Sequence, residues 1–292
     1  MHKPVLLNEV IKYLEPKPNQ NFIDATYGLG GHSKELLKYI KPNGKILALE
    51  WDPYLVEINQ KELMNSKNII LKNENFTKIK KLVKELNFTH IKGVIFDLGI
   101  SSWHLEKSGR GFSFKKDEFL DMRINPKEIK ITAFEIINRF SKEELVEIFK
   151  KYGEEKKANQ IAEEIVSRRK IKKIETSKEL ADLIVKVYKS RKKIHPATKT
   201  FMALRVFINK ELENLEEGLK QAYEVIDRGG KIAIITFQGL EDRVVKKVFK
   251  ELKKQNAKMI TKNVVRPTRK EVLENPRARS AKLRVIQKNE EK

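Results

Sequence analysis

A doubly wound α/β domain with a mostly parallel sheet and an inserted all-helical subdomain is the fold class this sequence predicts, and three observations predict it. Short apolar runs alternate with helical patterns from Asn21 to Gly99. A glycine-rich turn, Gly28-Leu29-Gly30-Gly31, closes the first run and feeds a helical pattern. From about His104 to Ile194 the strand-like runs stop, and helical spacing alone continues until a strand and a helix return near Lys231. Nearly all-apolar strands alternating with helices belong to a parallel sheet covered on both faces.

Taken in order, Val5, Leu6, Val10 and Leu14 are spaced for a short amphipathic lead-in that Pro16 and Pro18 end. Asn21-Phe22-Ile23 begins the first strand, and a helix from about His32 to Ile40 buries Leu36, Leu37 and Ile40. Asn43-Gly44 turns the chain into a second strand, Lys45 to Glu50. Pro53 suits the first turn of a helix running to Leu63, and Asn68 to Asn73 reads as a third strand with Asn75-Phe76 just past its end. Ile79, Leu82, Val83 and Leu86 make another helical stripe before the fourth strand, Gly93 to Gly99.

In the insertion, Ser141-x-x-Glu144 and Thr176-x-x-Glu179 read as capping boxes and Gly153 as a helix stop. The sheet domain resumes through one long helix, Phe201 to about Ile226, closed by Gly229-Gly230. A fifth strand, Lys231 to Phe237, leads into a helix from Leu240 to Leu252 with Glu241 and Asp242 in its first turn, where the helix dipole favours acids. Lys258 to Val264 and Lys282 to Ile286 are late strands flanking a basic loop, Arg266 to Arg279. The expected division is therefore 1–103 with 200–292 for the sheet domain and 104–199 for the helical subdomain.

The glycine turn lets a ligand approach the main chain, and the first N–H groups of the next helix face the crevice at the strand's carboxyl end. The second strand ends in Glu50, about twenty residues beyond the glycines, the separation at which a carboxylate accepts hydrogen bonds from a ribose diol. Turn and acid together predict a nucleoside cofactor. Nicotinamide dinucleotide and S-adenosylmethionine both fit. A dinucleotide fingerprint wants Gly or Ala where this chain has Ser33, which leans toward S-adenosylmethionine. No Gly-Lys-Ser/Thr follows the turn, as a Walker-type site would require. Asp97, at the end of the central fourth strand, is expected to project into the same crevice.

The 292 residues are 40% hydrophobic and 8% aromatic, enough for one large core or a core with a second inserted one. No apolar run reaches the roughly 18 residues of a membrane span, and the first residues lack a signal peptide's apolar region, so a cytoplasmic protein is expected. There is no cysteine, which excludes disulfides, thiolate zinc sites and the covalent thiolate route to carbon-methylated pyrimidines. His2 and His32, without an i, i+4 partner, make a poor metal site, and no metal is expected. A formal charge of +22 would attract a polyanion such as nucleic acid or an anionic membrane surface, and nucleic acid is the partner expected, with no membrane. A dehydrogenase with a helical substrate domain and a non-catalytic RNA-binding factor remain as other readings of the residues.

Six motifs in one order then carry a resemblance: Asp24-x-Thr26-x-Gly28-x-Gly30-Gly31-His32, Asp97-Leu98-Gly99-x-Ser101-Ser102, Arg110-Gly111-Phe112-Ser113-Phe114, Leu120-Asp121-Met122-Arg123, His195-Pro196-Ala197-Thr198 and Asn275-Pro276-Arg277-Ala278-Arg279-Ser280. Running from His2 to Arg284, the chain resembles the ribosomal small-subunit methyltransferase H family. The resemblance implies a class I methyltransferase fold, Rossmann-like, that transfers a methyl group from S-adenosylmethionine to N4 of a cytidine in the decoding region of 16S ribosomal RNA. It implies that Gly30, Gly31 and His32 line the cofactor, Glu50 holds the ribose, Phe76 lies against the adenine, and Asp97 and His104 close the pocket. Asp97 is the candidate catalytic residue, and Arg110, His195, Lys199, Arg205, Arg277, Arg279 and Arg284 are candidates for RNA contact. Glu50 stands where the family usually has Asp and His104 where it usually has Gln. Gln238 and Gly239 replace a usual His and Ser, and the expectation is that this segment shapes the acceptor pocket of an active enzyme.

Overall fold

The computed structural model describes residues 4–64, 66–188 and 195–290. His2 and Ile194, used above, lie outside them. The chain divides into two compact units, one made of residues up to Gly99 and from Leu212 onward, the other of Ile100–Glu211.

The first unit is the sheet domain. After α1 (Leu7–Leu14), β1 (Asn21–Asp24), α2 (Gly31–Ile40), β2 (Ile46–Leu49), α3 (Pro53–Leu63), β3 (Ile69–Lys72), α4 (Ile79–Glu85) and β4 (Ile91–Asp97) alternate as expected. The helical unit intervenes with α5 (Ser102–Glu106), α6 (Ala133–Arg139), α7 (Lys142–Gly153), α8 (Ala158–Ile171), α9 (Ser177–Tyr188) and α10 (Thr198–Ile208). The sheet domain resumes with α11 (Glu211–Val225), β5 (Lys231–Thr236), α12 (Gly239–Lys254), β6 (Ala257–Met259), α13 (Arg269–Glu274) and β7 (Lys282–Lys288). The seven strands lie in the order β3-β2-β1-β4-β5-β7-β6. β1 to β5 pair in parallel, and β7 runs antiparallel to both β5 and β6.

The near-continuous apolar strands follow from burial on both faces. Ile23, Leu47, Leu49, Val94, Phe96, Ile232 and Ile234 pack with α4, α11 and α12 on one side. Their neighbours Phe22, Ile46, Ala48, Ile95, Ala233 and Ile235 pack with α1 and α2 on the other. Successive side chains of a strand point to opposite faces, so a strand buried twice has no polar position to spare.

The helical unit differs from the sequence reading at its far boundary. The expected single helix from Phe201 to Ile226 is broken between α10 and α11, where Lys210 takes φ 48. α10 therefore joins the helical unit, and the boundaries fall at Gly99 and Glu211 instead of 103 and 200. α7 ends at Gly153 as expected, though the left-handed residue is the next one, Glu154, at φ 48. The glycine allows close approach of α10, because a Cβ there would lie 2.7 Å from the Lys199 carbonyl oxygen. Both capping boxes form: Ser141 Oγ accepts from Glu144 N and Thr176 Oγ1 from Glu179 N.

Asn209, which the sequence did not single out, ties the end of α10 to the Leu120–Arg123 motif. Its Oδ1 accepts from Ile124 N at 2.7 Å and its Nδ2 donates to the carbonyls of Met122 and Arg205. Asn209 is buried. Asn209→Ala is expected to cost about 1–3 kcal/mol, because it strands buried backbone groups; chemical denaturation at constant m-value measures it.

Candidate cofactor site

Three carboxylates stand at the carboxyl ends of three adjacent parallel strands, and the backbone itself brings them together. Asp24 closes β1, Asp97 closes β4, and Glu50 follows β2. The Tyr27 N–H donates to the Leu49 carbonyl and the Asp97 N–H to Thr26 Oγ1 at 2.6 Å, so the glycine turn is stitched to both neighbouring strand ends.

Gly28 and Gly30 take φ 55 and 75, the left-handed region that a Cβ disfavours. A Cβ on Gly30 would lie 2.4 Å from Tyr27 Oη, and one on Gly31 would lie 2.4 Å from Pro4 Cγ. The turn thus leaves a bare stretch of main chain walled by Tyr27 and Pro4 at the start of α2.

Glu50 is buried, and each of its oxygens already accepts one main-chain N–H: Oε2 from Gly28 at 2.9 Å and Oε1 from Asp52 at 2.8 Å. A carboxylate oxygen retains a second lone pair, so the same group can still accept from a diol. Asn73 Nδ2 donates to the carbonyls of Glu50 and Trp51, and Asn59 Nδ2 to that of Gly28, which holds the backbone around the acid. Phe76 packs edge-on against Phe96 at 5.5 Å between ring centres. It sits close to α11, where a Cβ on Gly218 would come within 2.4 Å of its ring.

His32 is buried, with Nε2 3.0 Å from the Val5 carbonyl oxygen. That contact requires the proton on Nε2 and turns the Nδ1 lone pair toward Asp97 Oδ2, 3.6 Å away. Burial lowers the His32 pKa, favouring the neutral ring. Burial pushes the Asp97 carboxyl up to about 7 and Glu50 up to about 8, and it raises Asp24 as well. Asp97 Oδ1 is buried with no hydrogen-bond partner, as are Tyr27 Oη and Asn59 Oδ1.

Asp24 and Ser33 are site residues that the sequence reading missed. Asp24 is buried, its Oδ2 accepting from Ser33 Oγ at 2.6 Å and its Oδ1 from Thr26 N. Ser33 counted above only as a mismatch to a dinucleotide fingerprint, but its hydroxyl is what keeps Asp24 solvated inside the protein. Asp24 opens the first motif, which was its only sequence signal; Asn59 and Asn73 had none, since their partners are carbonyls.

No lysine or arginine pairs with Asp24, Glu50 or Asp97 among the described residues. A pocket whose three acids lack counter-ions is matched to a cation and opposed to a pyrophosphate. A sulfonium-bearing nucleoside is a ligand of that kind; the main chain lies bare at Gly30, and Asp97 Oδ1, Tyr27 Oη and Asn59 Oδ1 are without partners. No group of three or more histidine, aspartate or glutamate side chains able to hold a metal ion occurs among the described residues.

The remaining candidates are divided between the two units. In the helical unit, His104 Nδ1 lies 2.9 Å from Ser101 Oγ, and its ring packs edge-on against Trp103 and Phe112. Arg110 is buried beside the same two rings and donates to the carbonyls of Arg123 and Ile124. Arg205 forms a two-pronged ion pair with Glu211, and Arg284, in the sheet domain, binds Asp242 at 2.8 Å. The charges of Arg205 and Arg284 are thus answered by carboxylates, and the Arg110 guanidinium braces a loop. His195, stacked on Phe114 at 4.3 Å, and Lys199 are exposed, as are Arg277 and Arg279 on the sheet domain.

Comparison with known proteins shows the family. A model of the MraW methylase family matches residues 1–289. The chain is 40% identical to a protein of Caldicellulosiruptor saccharolyticus described as Ribosomal RNA small subunit methyltransferase H, over 98% of this chain and 99% of the relative. Proteins with the same description from Persephonella marina and Dictyoglomus thermophilum are each 42% identical, covering 98% and 99% of this chain and 99% and 97% of the relatives.

The raised acids make stability depend on pH. The folded chain keeps a proton on Glu50 up to about 8 that an unfolded chain releases near 4.5, so this group's contribution falls as pH rises across that window. Thermal melting between about pH 5 and pH 9 is expected to show that decline, and Glu50→Gln is expected to flatten it.

Proposed function

We propose, on the premise that the chain belongs to the MraW methylase family, that it methylates the N4 amine of a cytidine in the decoding region of 16S ribosomal RNA with S-adenosylmethionine as donor. The observation that carries this reading is the cluster of uncompensated carboxylates at the ends of β1, β2 and β4, with Asp24 and Glu50 buried and Asp97 partly buried.

S-adenosylmethionine, when bound, supplies a methyl group activated by a positive sulfonium. Glu50 accepts hydrogen bonds from the ribose, Gly30, Gly31 and His32 line the turn, and Phe76 offers its ring to the adenine. The residues of the chain have two further tasks: to hold a flipped-out cytosine with its amine in line, and to receive a proton.

Asp97 is suited to both. Its Oδ1 has no partner within the protein and can accept from the amine. Its Oδ2 faces a neutral His32 whose own proton is committed to Val5. A carboxyl held near 7 takes a proton at little cost near neutral pH.

Transfer of labelled methyl groups onto unmodified small subunits, followed by nucleoside analysis, tests the reading; N4-methylcytidine is expected, and no incorporation overturns it. Turnover is expected to rise with pH through about 7 as Asp97 ionises. Asp97→Asn is expected to lower single-turnover rates by about 10²–10⁴, with donor affinity measured separately by calorimetry. A Cβ on Gly239 meets only Arg243 Nη1, at 3.7 Å, so a serine fits there. The double change Gln238→His with Gly239→Ser is expected to alter the single-turnover rate by less than about tenfold, because the protein's own acceptor is Asp97.

A further inference from the structure

A groove of about 200 Å³ lies on the sheet domain, lined by Lys246, Phe249, Lys250 and Lys253 of α12, Met259 of β6 and Arg284 of β7. Its three lysines fall at i, i+4 and i+7, on one face of α12. Phe249 and Met259 give it an apolar floor. Arg284 is held by Asp242, which also lies 3.5 Å from Lys246. Lys250 and Lys253 are exposed, and no carboxylate is paired with either among the described residues. Lys247, on the adjoining face, is by contrast answered by Glu216 at 3.0 Å.

Unpaired lysines spaced along a helix over an apolar floor repel one another unless an anion joins them, and the match is to a chain of phosphates with sugars or bases against the floor. α12 starts at the carboxyl end of β5, on the side of the sheet where the strand-end carboxylates stand. Lys246 and Lys253 lie about 10 and 20 Å along the helix from there. We propose that this groove is a second RNA-contact site, seating the sugar–phosphate backbone of the ribosomal substrate away from the nucleotide being methylated. The inference rests on the rRNA reading above and adds a surface to it.

The test compares the wild-type protein with Lys250→Glu/Lys253→Glu and with Lys81→Glu/Lys84→Glu, a reversal of equal charge on exposed positions of α4. Filter binding to unmodified 16S RNA and methyl transfer to small subunits are measured over a range of salt. The groove variant is expected to bind RNA at least about tenfold more weakly than the α4 control, with a salt slope shallower by about 1.5. Its KM for subunits should rise with kcat and donor affinity unchanged. Equal behaviour of the two variants overturns the groove while wild-type activity leaves the rRNA reading standing. A defect confined to intact subunits, absent with RNA alone, makes the occupant a ribosomal protein and also overturns the proposal. Failure of the wild type to methylate subunits at all sinks the rRNA reading instead.

Discussion

The sheet domain is organised around an electrostatic debt: acids at three neighbouring strand ends that have no counter-charge, two of them buried with hydrogen bonds and the third partly buried without one. Asp24 is answered by a hydroxyl and an amide, Glu50 by two amides, and Asp97 by a neutral imidazole at 3.6 Å. Each arrangement lets the group exist inside the protein without saturating it. The result is a pocket that favours positive charge and is held open by glycines where side chains would fill it. Parallel pairing of β2, β1 and β4 is what makes the juxtaposition possible, since only a parallel sheet delivers successive strand ends to one edge.

Much of this was legible before the structure. The strands were recognisable because burial on both faces leaves no polar alternation, and the crevice followed from a glycine turn and an acid one strand away. What was not legible had physical causes. Ser33 donates to an acid nine residues earlier, across a turn whose shape no spacing rule encodes. Asn59 and Asn209 bond to main-chain carbonyls, which exist at every residue and mark none. The division of one expected helix into α10 and α11 depends on Lys210 adopting a left-handed conformation, for which a lysine gives no signal.

The excess of basic residues pointed to a polyanion, but composition does not say which cations are available. Arg205 and Arg284 are engaged by carboxylates, and Arg110 holds carbonyls beneath two aromatic rings. The guanidinium, with its fork of donors, is well suited to such internal bracing. Cations left facing solvent include the stripe on α12 and the exposed Arg279, and these were hardest to tell apart in the sequence from ordinary solvated lysines and arginines.

The wall of the glycine turn has a history in folding time. Pro4 lies against Gly31, Val5 receives the His32 proton, and the Leu6 N–H is held by Glu271, 265 positions further along the chain. Ribosomal synthesis delivers Leu6 well before Glu271, and contacts so distant in sequence are slow to close. The contact of Val5 with His32 can therefore close long before that of Leu6 with Glu271, and the wall gains its last tie only once α13 has been made.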